Sequence, residues 1–535
     1  MKLSRRSSSL IICITVVISL IIISDIPTRV VNATDDVMMQ MKRFMDVFSL
    51  VRKYYVEDIN SEEVMTGAIQ GMLEKLDPHS VYIEAEQLKT IDERFKGHYY
   101  GIGIEFVIKD KILTVISPIA NSPSEALGLR PGDQIIKIEG KSAYGISEQE
   151  VFDQLRGPKG TKVTVTIRRS SIDEPFDVTI VRDEIPIYSV LTATMITDDI
   201  GYIYIGRFAR TTVDELEESL VDLERQGMKA LILDLRNNSG GYLDQAVRMS
   251  DKFLNGKKKI VYTRGRLPES NEDYFSTDET THPEFPLIIM INKGSASASE
   301  IVAGAMQDWD RALVVGETSF GKGLVQNQIP LKDGSALRLT TARYFTPSGR
   351  LIQRPYDKGI IDYYEEGYDD VDPNAIEDSL ANRPVFYTSN GRKVYGGGGI
   401  TPDVTIKSGR VTAFTNELLS KRLFFAYAED YTSKRHDLDA NFKNFQRKFI
   451  VSDQIIQNFK NYVVNKDVEW NTKSADTDLD YIKLLIKSEL ARHVWDSKHF
   501  YAIRMTEDEQ VLEAIKLFPQ AAEIAGIDYN RSLKN

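Results

Sequence analysis

The chain has 535 residues, a formal net charge of −11, a sequence pI near 5.3 and a hydrophobic content of 42%. This length predicts three or four domains, because domains average roughly 150 residues. The acidic balance argues against a nucleic-acid-binding protein, which needs a basic face, and the apolar content is ordinary for a globular protein.

Residues 1–33 are predicted to be a targeting segment. Lys2, Arg5 and Arg6 precede the apolar run Leu10–Ile23, which suits a signal peptide and is short for a full membrane span. An uncleaved anchor is the alternative. The single cysteine of the chain lies inside this run, so a cleaved protein would carry neither a disulfide nor a metal–thiolate site. We expect an exported protein of the periplasm or cell envelope, held at the inner membrane if the anchor is retained.

Residues 34–96 are predicted to form a helical region. Met41, Phe44, Phe48 and Val51 recur at helical spacing, and a second apolar set follows a polar break. Such stripes indicate packing faces.

Residues 97–170 have the pattern of a β-rich module inserted into the chain. Gly101-Ile102-Gly103-Ile104 precedes an alternating strand, and the run GLRPGDQIIKIEG follows at 128–140. The whole stretch closely resembles PDZ domains. In that family, the amides of a Gly-rich loop receive the terminal carboxylate of a peptide, which adds as a strand beside the next β-strand. The resemblance implies that Ile102, Gly103 and Ile104 bind substrate tails.

Residues 171–408 are predicted to form the core, and the alternation of strand and helix patterns over residues 200–326 predicts a layered α/β arrangement for it. The buried strand Ala230–Asp234 leads into LRNNSGG and then a helix. A strand, a Gly-Gly turn and a helix invite a phosphate-loop interpretation, but the P-loop pattern and its lysine are missing. Further along, the acidic, tyrosine-rich stretch Tyr356–Asp372 is predicted to be a solvated loop.

Ser297 lies where the apolar strand Leu287–Ile291 gives way to a helix. Its spacing to Glu300 fits a capping box, in which hydroxyl and carboxylate satisfy first-turn amides. A hydroxyl at a helix start also lies beside unpaired amides and the positive end of the helix dipole, which stabilise a developing oxyanion. The local sequence therefore leaves two roles open for Ser297, a helix cap and a catalytic nucleophile.

A nucleophile also needs a base. The chain has six histidines and no G-x-S-x-G elbow. Lys322, in a Gly-Lys-Gly loop, is the other candidate, although a lysine acts as a base only if burial lowers its pKa from about 10 towards about 7–8.

The stretch NKGSASASEIVAGAMQDWDRALVVGETSFGKGLVQ at 292–326 resembles the active-site segment of the C-terminal processing peptidases, tail-specific proteases that use a Ser-Lys pair. Carried over by position, the resemblance implies that Ser297 is the nucleophile, Lys322 the general base and Gln326 the residue that orients the lysine. It also implies a crotonase-like α/β core.

The same resemblance extends to LDLRNNSGG at 233–241, which matches the family motif that supplies an oxyanion-hole amide. It implies that the amides of Gly240 or Gly241, together with that of Ala298, hold the oxyanion. Ser239 stands where the family commonly has proline, which puts the rigidity of the turn in question.

Residues 409–535 carry large apolar residues within charged helical stretches, which predicts an all-α region. The resemblance covers it poorly. We expect this region either to form a homo-oligomer through the terminal helices or to dock a partner.

Together these features predict a multidomain α/β serine endopeptidase that cleaves envelope or periplasmic proteins after its PDZ domain has bound their C-terminal tails. No cofactor, metal or nucleic acid is implied. The alternative from another class is a catalytically silent PDZ scaffold of the envelope, and a Ser-His-Asp hydrolase ranks below it.

Overall fold

The computed structural model describes residues 36–278, 282–357, 359–365, 383–433 and 441–528. The chain divides into two compact units, residues 1–77 and 78–535. In the first, residues 36–54 and Ser61–Leu73 are helical, as the apolar spacing predicts. The predicted targeting run lies outside the described residues. No helix in the described ranges is long and apolar enough to cross a bilayer.

The second unit begins with the strand Val81–Ile83 and the helix Ala85–Lys96. The strand His98–Gly101 then pairs antiparallel with Asp183–Pro186. This two-stranded ribbon carries the chain into and out of the inserted PDZ module.

The PDZ module is an antiparallel sheet covered by short helices. The helix Glu148–Leu155 starts at Ser147, whose capping box with Glu150 satisfies the first-turn amides. The sheet extends past the predicted boundary at residue 170, since its last strand is Phe176–Val181. Its strands, in spatial order, are Ile104–Lys109, Ile112–Pro118, Gln134–Ile138, Lys162–Arg168 and Phe176–Val181, with Lys141–Ser142 beside the third.

The α/β core is built on a six-stranded sheet that is parallel except at one edge. Its central strands are buried on both faces, which explains their continuous apolar runs. The helices Thr212–Arg225, Leu243–Asp251 and Ala298–Asp308 cover one face through a shared apolar cluster. The strands, in order, are Val190–Met195, Ile200–Ile205, Ala230–Asp234, Leu287–Ile291, Leu313–Gly316 and Val404–Thr405.

A second, antiparallel sheet flanks the core. Its long central strand, Ala336–Phe345, pairs along one edge with Leu324–Pro330. Along the other edge it pairs with Val81–Ile83 and Lys259–Gly265, and Glu272–Phe275 completes the sheet. A separate hairpin joins Val385–Tyr387 to Lys393–Tyr395.

The stretch predicted to be a solvated loop is partly ordered against the core, so that prediction is wrong for its first half. Ile360–Glu365 is a helix, and Tyr363 is buried against Phe320 and His79. Aromatic side chains bury large apolar areas, so a tyrosine-rich stretch can pack despite its charge. Residues 366–372 lie outside the described residues.

The C-terminal region is helical, as predicted, and has an apolar cluster of its own. Its last helices also cover the second face of the core sheet through Met505, Val511 and Phe518. The core therefore has three layers, and this region is part of it. The helices are Ala413–Ser420, Leu423–Ser433, Phe442–Lys448, Asp453–Val464, Thr472–Thr477, Leu479–Val494, Ser497–Thr506, Glu509–Ile515 and Phe518–Ala525.

Candidate active site

Ser297 lies at the junction between the buried strand Leu287–Ile291 and the helix Ala298–Asp308. Its backbone has φ 55° and ψ −112°, a conformation that residues other than glycine rarely adopt. Strain of this kind clusters at functional sites, where the surrounding structure holds it in place.

The two flanking serines anchor the turn. The Ser295 hydroxyl donates to the Leu235 carbonyl at 2.8 Å, and the Ser299 hydroxyl donates to the Asn238 carbonyl at 2.8 Å. Both serines are fully buried. Ser295 and Ser299 thus hold the turn against the loop that follows the strand Ala230–Asp234.

That loop brings its glycines against Ser297. A Cβ on Gly240, whose φ is 96°, would lie 2.8 Å from the Ser297 Cβ and 2.9 Å from the Ala298 nitrogen. The Gly240 N–H donates to the Asn238 Oδ1 at 2.9 Å. The N–H groups of Gly241 and Ala298 have no acceptor within the described ranges, so these two amides are available to an oxyanion.

Glu300 connects the Ser297 turn to the Lys322 loop. Its Oε2 accepts the Ser297 N–H at 2.8 Å and the Lys322 N–H at 2.9 Å. Its Oε1 accepts the Gly321 N–H at 2.7 Å and the Ser319 hydroxyl at 2.6 Å. Complete burial raises the pKa of the Glu300 carboxyl above its usual range, and the four hydrogen bonds offset part of that rise. Sequence analysis identified this residue only as a cap.

Lys322 and Gln326 line the same cavity as Ser297. The cavity has a volume of about 620 Å³. Five of the six histidines fall in the described ranges, and none of those five lines it; His436 lies outside them. The cavity is also lined by Asp92, Phe95, Ser239, Gly240, Gly241, Tyr242, Leu243, Tyr274, Ile301, Leu324, Val325, Gln328, Arg338 and Tyr344.

Gln326 is oriented by its own sheet. The pairing between Leu324–Pro330 and Ala336–Phe345 shifts register between Val325 and Gln326, and such bulges re-aim side chains beside active sites. The Gln326 Nε2 donates to the Thr340 Oγ1 at 3.3 Å. Local sequence patterns give no signal for this bulge.

Comparison with known proteins decides the family. A carboxy-terminal-processing protease of Bartonella bacilliformis is 44% identical to this chain over 318 residues, an alignment that covers 59% of this chain and 73% of that protein. The chain belongs to the carboxy-terminal-processing protease family. It is therefore a serine-type peptidase with a PDZ domain.

Two further proteins are similar to this chain. The carboxy-terminal processing protease CtpA of Bacillus subtilis is 36% identical to this protease over 314 residues, covering 58% of this chain and 66% of that protein. The solved photosystem II D1 C-terminal processing protease is 24% identical, with a TM-score of 0.35, over 68% of this chain and 92% of that chain.

Four family models match separate parts of the protease. Peptidase family S41 matches residues 199–362 and the PDZ domain model matches 114–169. The N-terminal domain of the activating protease CtpB matches 24–87, and a family of unknown function matches 414–496. The predicted family, enzyme class and multidomain α/β fold are confirmed.

The residues predicted to bind tails lie in the PDZ domain, apart from the active-site cavity. Ile102, Gly103 and Ile104 line a small cavity of about 30 Å³ together with Val151 and Leu155 of the domain's second helix. These residues, together with Arg156, line a groove between the edge strand Ile104–Lys109 and the helix Glu148–Leu155. In PDZ domains a peptide strand is added in this place.

Proposed function

We propose that this protease cleaves polypeptides with a Ser-Lys pair, in which Ser297 is the nucleophile, Lys322 the general base and Gln326 the residue that orients the lysine. The observation that carries the proposal is the single carboxylate of Glu300, which binds the backbone of both Ser297 and Lys322. One buried group therefore sets the spacing between the two.

In the proposed reaction, the Ser297 Oγ attacks the scissile carbonyl carbon while its proton passes to the neutral Lys322 amine. The carbonyl oxygen becomes an oxyanion held by the amides of Gly241 and Ala298, with Gly240 packed beside them. Collapse of this intermediate breaks the C–N bond, and the lysine returns the proton to the leaving amine. Water then hydrolyses the acyl-enzyme by the same route.

The PDZ domain is proposed to select substrates by their C-terminal tails. Its groove is lined by apolar side chains at Ile102, Ile104, Val151 and Leu155, which suits an apolar terminal residue. The Gly-rich turn at Gly103 presents amides to the terminal carboxylate.

Export to a bacterial envelope is proposed because the sequence begins with basic residues followed by an apolar run.

A homo-oligomer formed through the terminal helices is a further proposal. Residues 36–54 expose the apolar side chains of Met38, Met41, Met45, Val47 and Leu50, and a second copy of the chain would cover them. Light scattering of the purified protein, with and without residues 1–55, tests this.

Cleavage of an unfolded reporter with an apolar C-terminal tail tests the catalytic proposal. Wild type should cut it. Ser297→Ala and Lys322→Ala should each lose activity by a factor on the order of 10⁴ or more, as removal of a nucleophile or its base does in other serine peptidases. Lys293→Ala is the matched control, because Lys293 does not line the cavity, and it should cut normally. Amidation of the tail should slow cutting.

Two results would contradict the proposal. Full activity in Lys322→Ala would remove the lysine from the mechanism and return attention to a histidine. Tail binding by wild type without any cleavage would favour the PDZ scaffold.

A further inference from the structure

Arg236 is a buried cation near the start of the loop at residues 235–241, which carries Gly240 and Gly241 and is called the glycine loop below. It stands two residues after the strand Ala230–Asp234 ends, and its side chain is 8% exposed. Its Nε and Nη2 donate to the Asp234 Oδ2 at 2.9 and 2.7 Å. Burying a guanidinium is costly unless each of its donors has a partner. Asp234 is a partner for Nε and Nη2 and leaves Nη1 to other residues.

The C-terminal helices satisfy the other side. The Arg236 Nη1 donates to the Asp508 Oδ1 at 2.9 Å and to the Gln510 Oε1 at 2.6 Å. Both partners lie more than 270 residues further along the chain. Asp508 also caps the helix Glu509–Ile515, where its carboxylate accepts the Val511 N–H at 3.0 Å.

Gln510 ties the same helix to the edge of the core sheet. Its Nε2 donates to the Ile406 carbonyl at 2.6 Å, directly after the edge strand Val404–Thr405. The start of the helix is therefore held at two places, at Arg236 and beside the edge strand.

Arg236 is connected directly to the glycine loop through its own backbone. The Asp234 Oδ1 accepts the Arg236 N–H at 2.9 Å, so one carboxylate holds both the guanidinium and the first amide of the loop. The chain then turns through Asn237, whose φ is 57°, and reaches the two glycines beside Ser297. A contiguous chain of hydrogen bonds and backbone thus connects Arg236 to the glycines, and coupling between distant groups is carried by networks of this kind.

We propose that Asp508 and Gln510 are positioning residues for the oxyanion-binding loop and act through Arg236, so that the C-terminal helices complete the active site from behind the sheet. The inference rests on the proposed role of the Gly241 and Ala298 amides. It assigns a catalytic contribution to a region that the sequence resemblance leaves without one. Because the oxyanion forms only during reaction, loss of either residue should lower kcat and leave KM unchanged.

Asp508→Asn is the sharpest test. Asparagine caps a helix as well as aspartate does, so the helix start is kept while the negative charge that Asp508 places beside Arg236 is lost. We expect kcat to fall by about tenfold or more, with an unchanged KM and an unchanged thermal midpoint. Glu513→Gln is the matched control, because Glu513 lies on the same helix, is exposed and, among the residues that the structure describes, forms its ion pair with Lys516 alone. Its kcat should equal that of wild type.

A double-mutant cycle separates positioning from simple packing. Gln510→Met keeps the length of the side chain and removes the second acceptor of the Arg236 Nη1. Since both residues act on the same nitrogen, the double variant should lose less kcat than the product of the two single losses. Strictly multiplicative losses would overturn the proposal, as would a lowered thermal midpoint with an unchanged kcat.

The proposed function fails on a different result. If Ser297→Ala retains activity, the Ser-Lys mechanism is wrong whatever Asp508 does. If Ser297→Ala is inactive and Asp508→Asn matches wild type in kcat, only the positioning role of the C-terminal helices is wrong.

Discussion

The backbone N–H groups of Ser297 and Lys322 donate to the same carboxylate oxygen of Glu300, at 2.8 and 2.9 Å. The two residues lie 25 positions apart in the sequence, yet one buried atom fixes the distance between their backbones. Glu300 therefore holds in place the two backbone positions from which the Ser297 hydroxyl and the Lys322 amine extend, although its side chain takes no part in the proposed chemistry.

Glu300→Gln should uncouple the two loops. An amide retains one acceptor oxygen and places an NH₂ group where the second oxygen had accepted hydrogen bonds, so the four hydrogen bonds that the carboxylate accepts cannot all be kept. A displacement of about 1 Å between reacting groups costs roughly 100-fold in rate. We expect a kcat loss of that order with a nearly unchanged KM, measured by steady-state cleavage of the tailed reporter.

Glu317→Gln is the control for this change. Glu317 accepts hydrogen bonds from Ser408 at 3.2 and 3.3 Å and does not line the cavity, so its variant should match wild type. A Glu300→Gln enzyme with wild-type kcat would mean that other contacts set the spacing.

Gly240→Ala tests the packing of the glycine loop on Ser297. The added methyl group would lie 2.7 Å from the Ala296 carbonyl oxygen and 2.8 Å from the Ser297 Cβ, so the loop must withdraw from the site. Removal of one oxyanion donor lowers kcat by about 10² to 10³, and a loss in this range is expected from reporter cleavage.

The matched control for Gly240→Ala is Gly256→Ala. Gly256 also has a left-handed backbone, with φ +84°, but nothing lies within 4 Å of its added methyl group. Both variants therefore carry similar backbone strain, and only one collides with the turn. Equal losses of activity in the two would attribute the effect to strain alone.

Local patterns in the sequence predicted most elements that build the site. The apolar run Leu287–Ile291 predicted a buried strand, and the spacing from Ser297 to Glu300 predicted a helix start there. Both follow from interactions within a few residues. The assignment of Lys322 and Gln326 came from the family resemblance, and the cavity brings these two residues to Ser297.

Contacts between distant segments could not be predicted in the same way. The capping spacing identified Glu300, but nothing near it in sequence indicates that its carboxylate also binds the Lys322 loop. Periodicity predicted the C-terminal helices and their apolar faces, but it does not specify which surface an apolar face covers. The contact of Asp508 with Arg236 joins residues 272 positions apart, and only the assembled sheet brings them together.

Gly103→Ala tests tail recognition by the PDZ domain. The Gly103 backbone has φ +80°, and an added methyl group would lie 2.2 Å from the Ser122 Cβ. The turn must shift, which moves the amides proposed to bind the terminal carboxylate. An affinity loss of about tenfold, equivalent to roughly 1.4 kcal/mol, is expected for a fluorescent peptide with an apolar C-terminus, measured by polarisation.

Gly140→Ala supplies the comparison for tail binding. It lies in the same domain, with φ +74° and nothing within 4 Å of the added methyl group, so peptide affinity should be retained. Cleavage of a short peptide without a tail should be the same in both variants. Wild-type tail affinity in Gly103→Ala would assign recognition to another surface.

His493 should make the C-terminal helices sensitive to mild acid. Its ring packs on Phe425 with 4.6 Å between centroids, and its Nε2 is buried with no hydrogen-bond partner in the described part of the chain. Burial, together with the nearby cation Arg492, lowers the pKa of the His493 imidazole to about 3. An unfolded histidine has a pKa of about 6.5, so the unfolded chain binds a proton that the native imidazole does not.

The sign of the effect follows from this difference in proton binding. Stability from His493 is complete above about pH 6.5 and falls by roughly 1.4 kcal/mol per pH unit below it. Urea unfolding followed by the fluorescence of Trp470 and Trp495 should therefore show a loss of about 2 kcal/mol in the free energy of unfolding between pH 6.5 and pH 5. His493→Phe keeps a ring against Phe425 and removes the titrating group, so its stability should be flat across this window. His98→Phe, which removes a histidine that is 34% exposed, should leave the wild-type slope intact, and an equally steep slope in His493→Phe would show that another group controls the acid response.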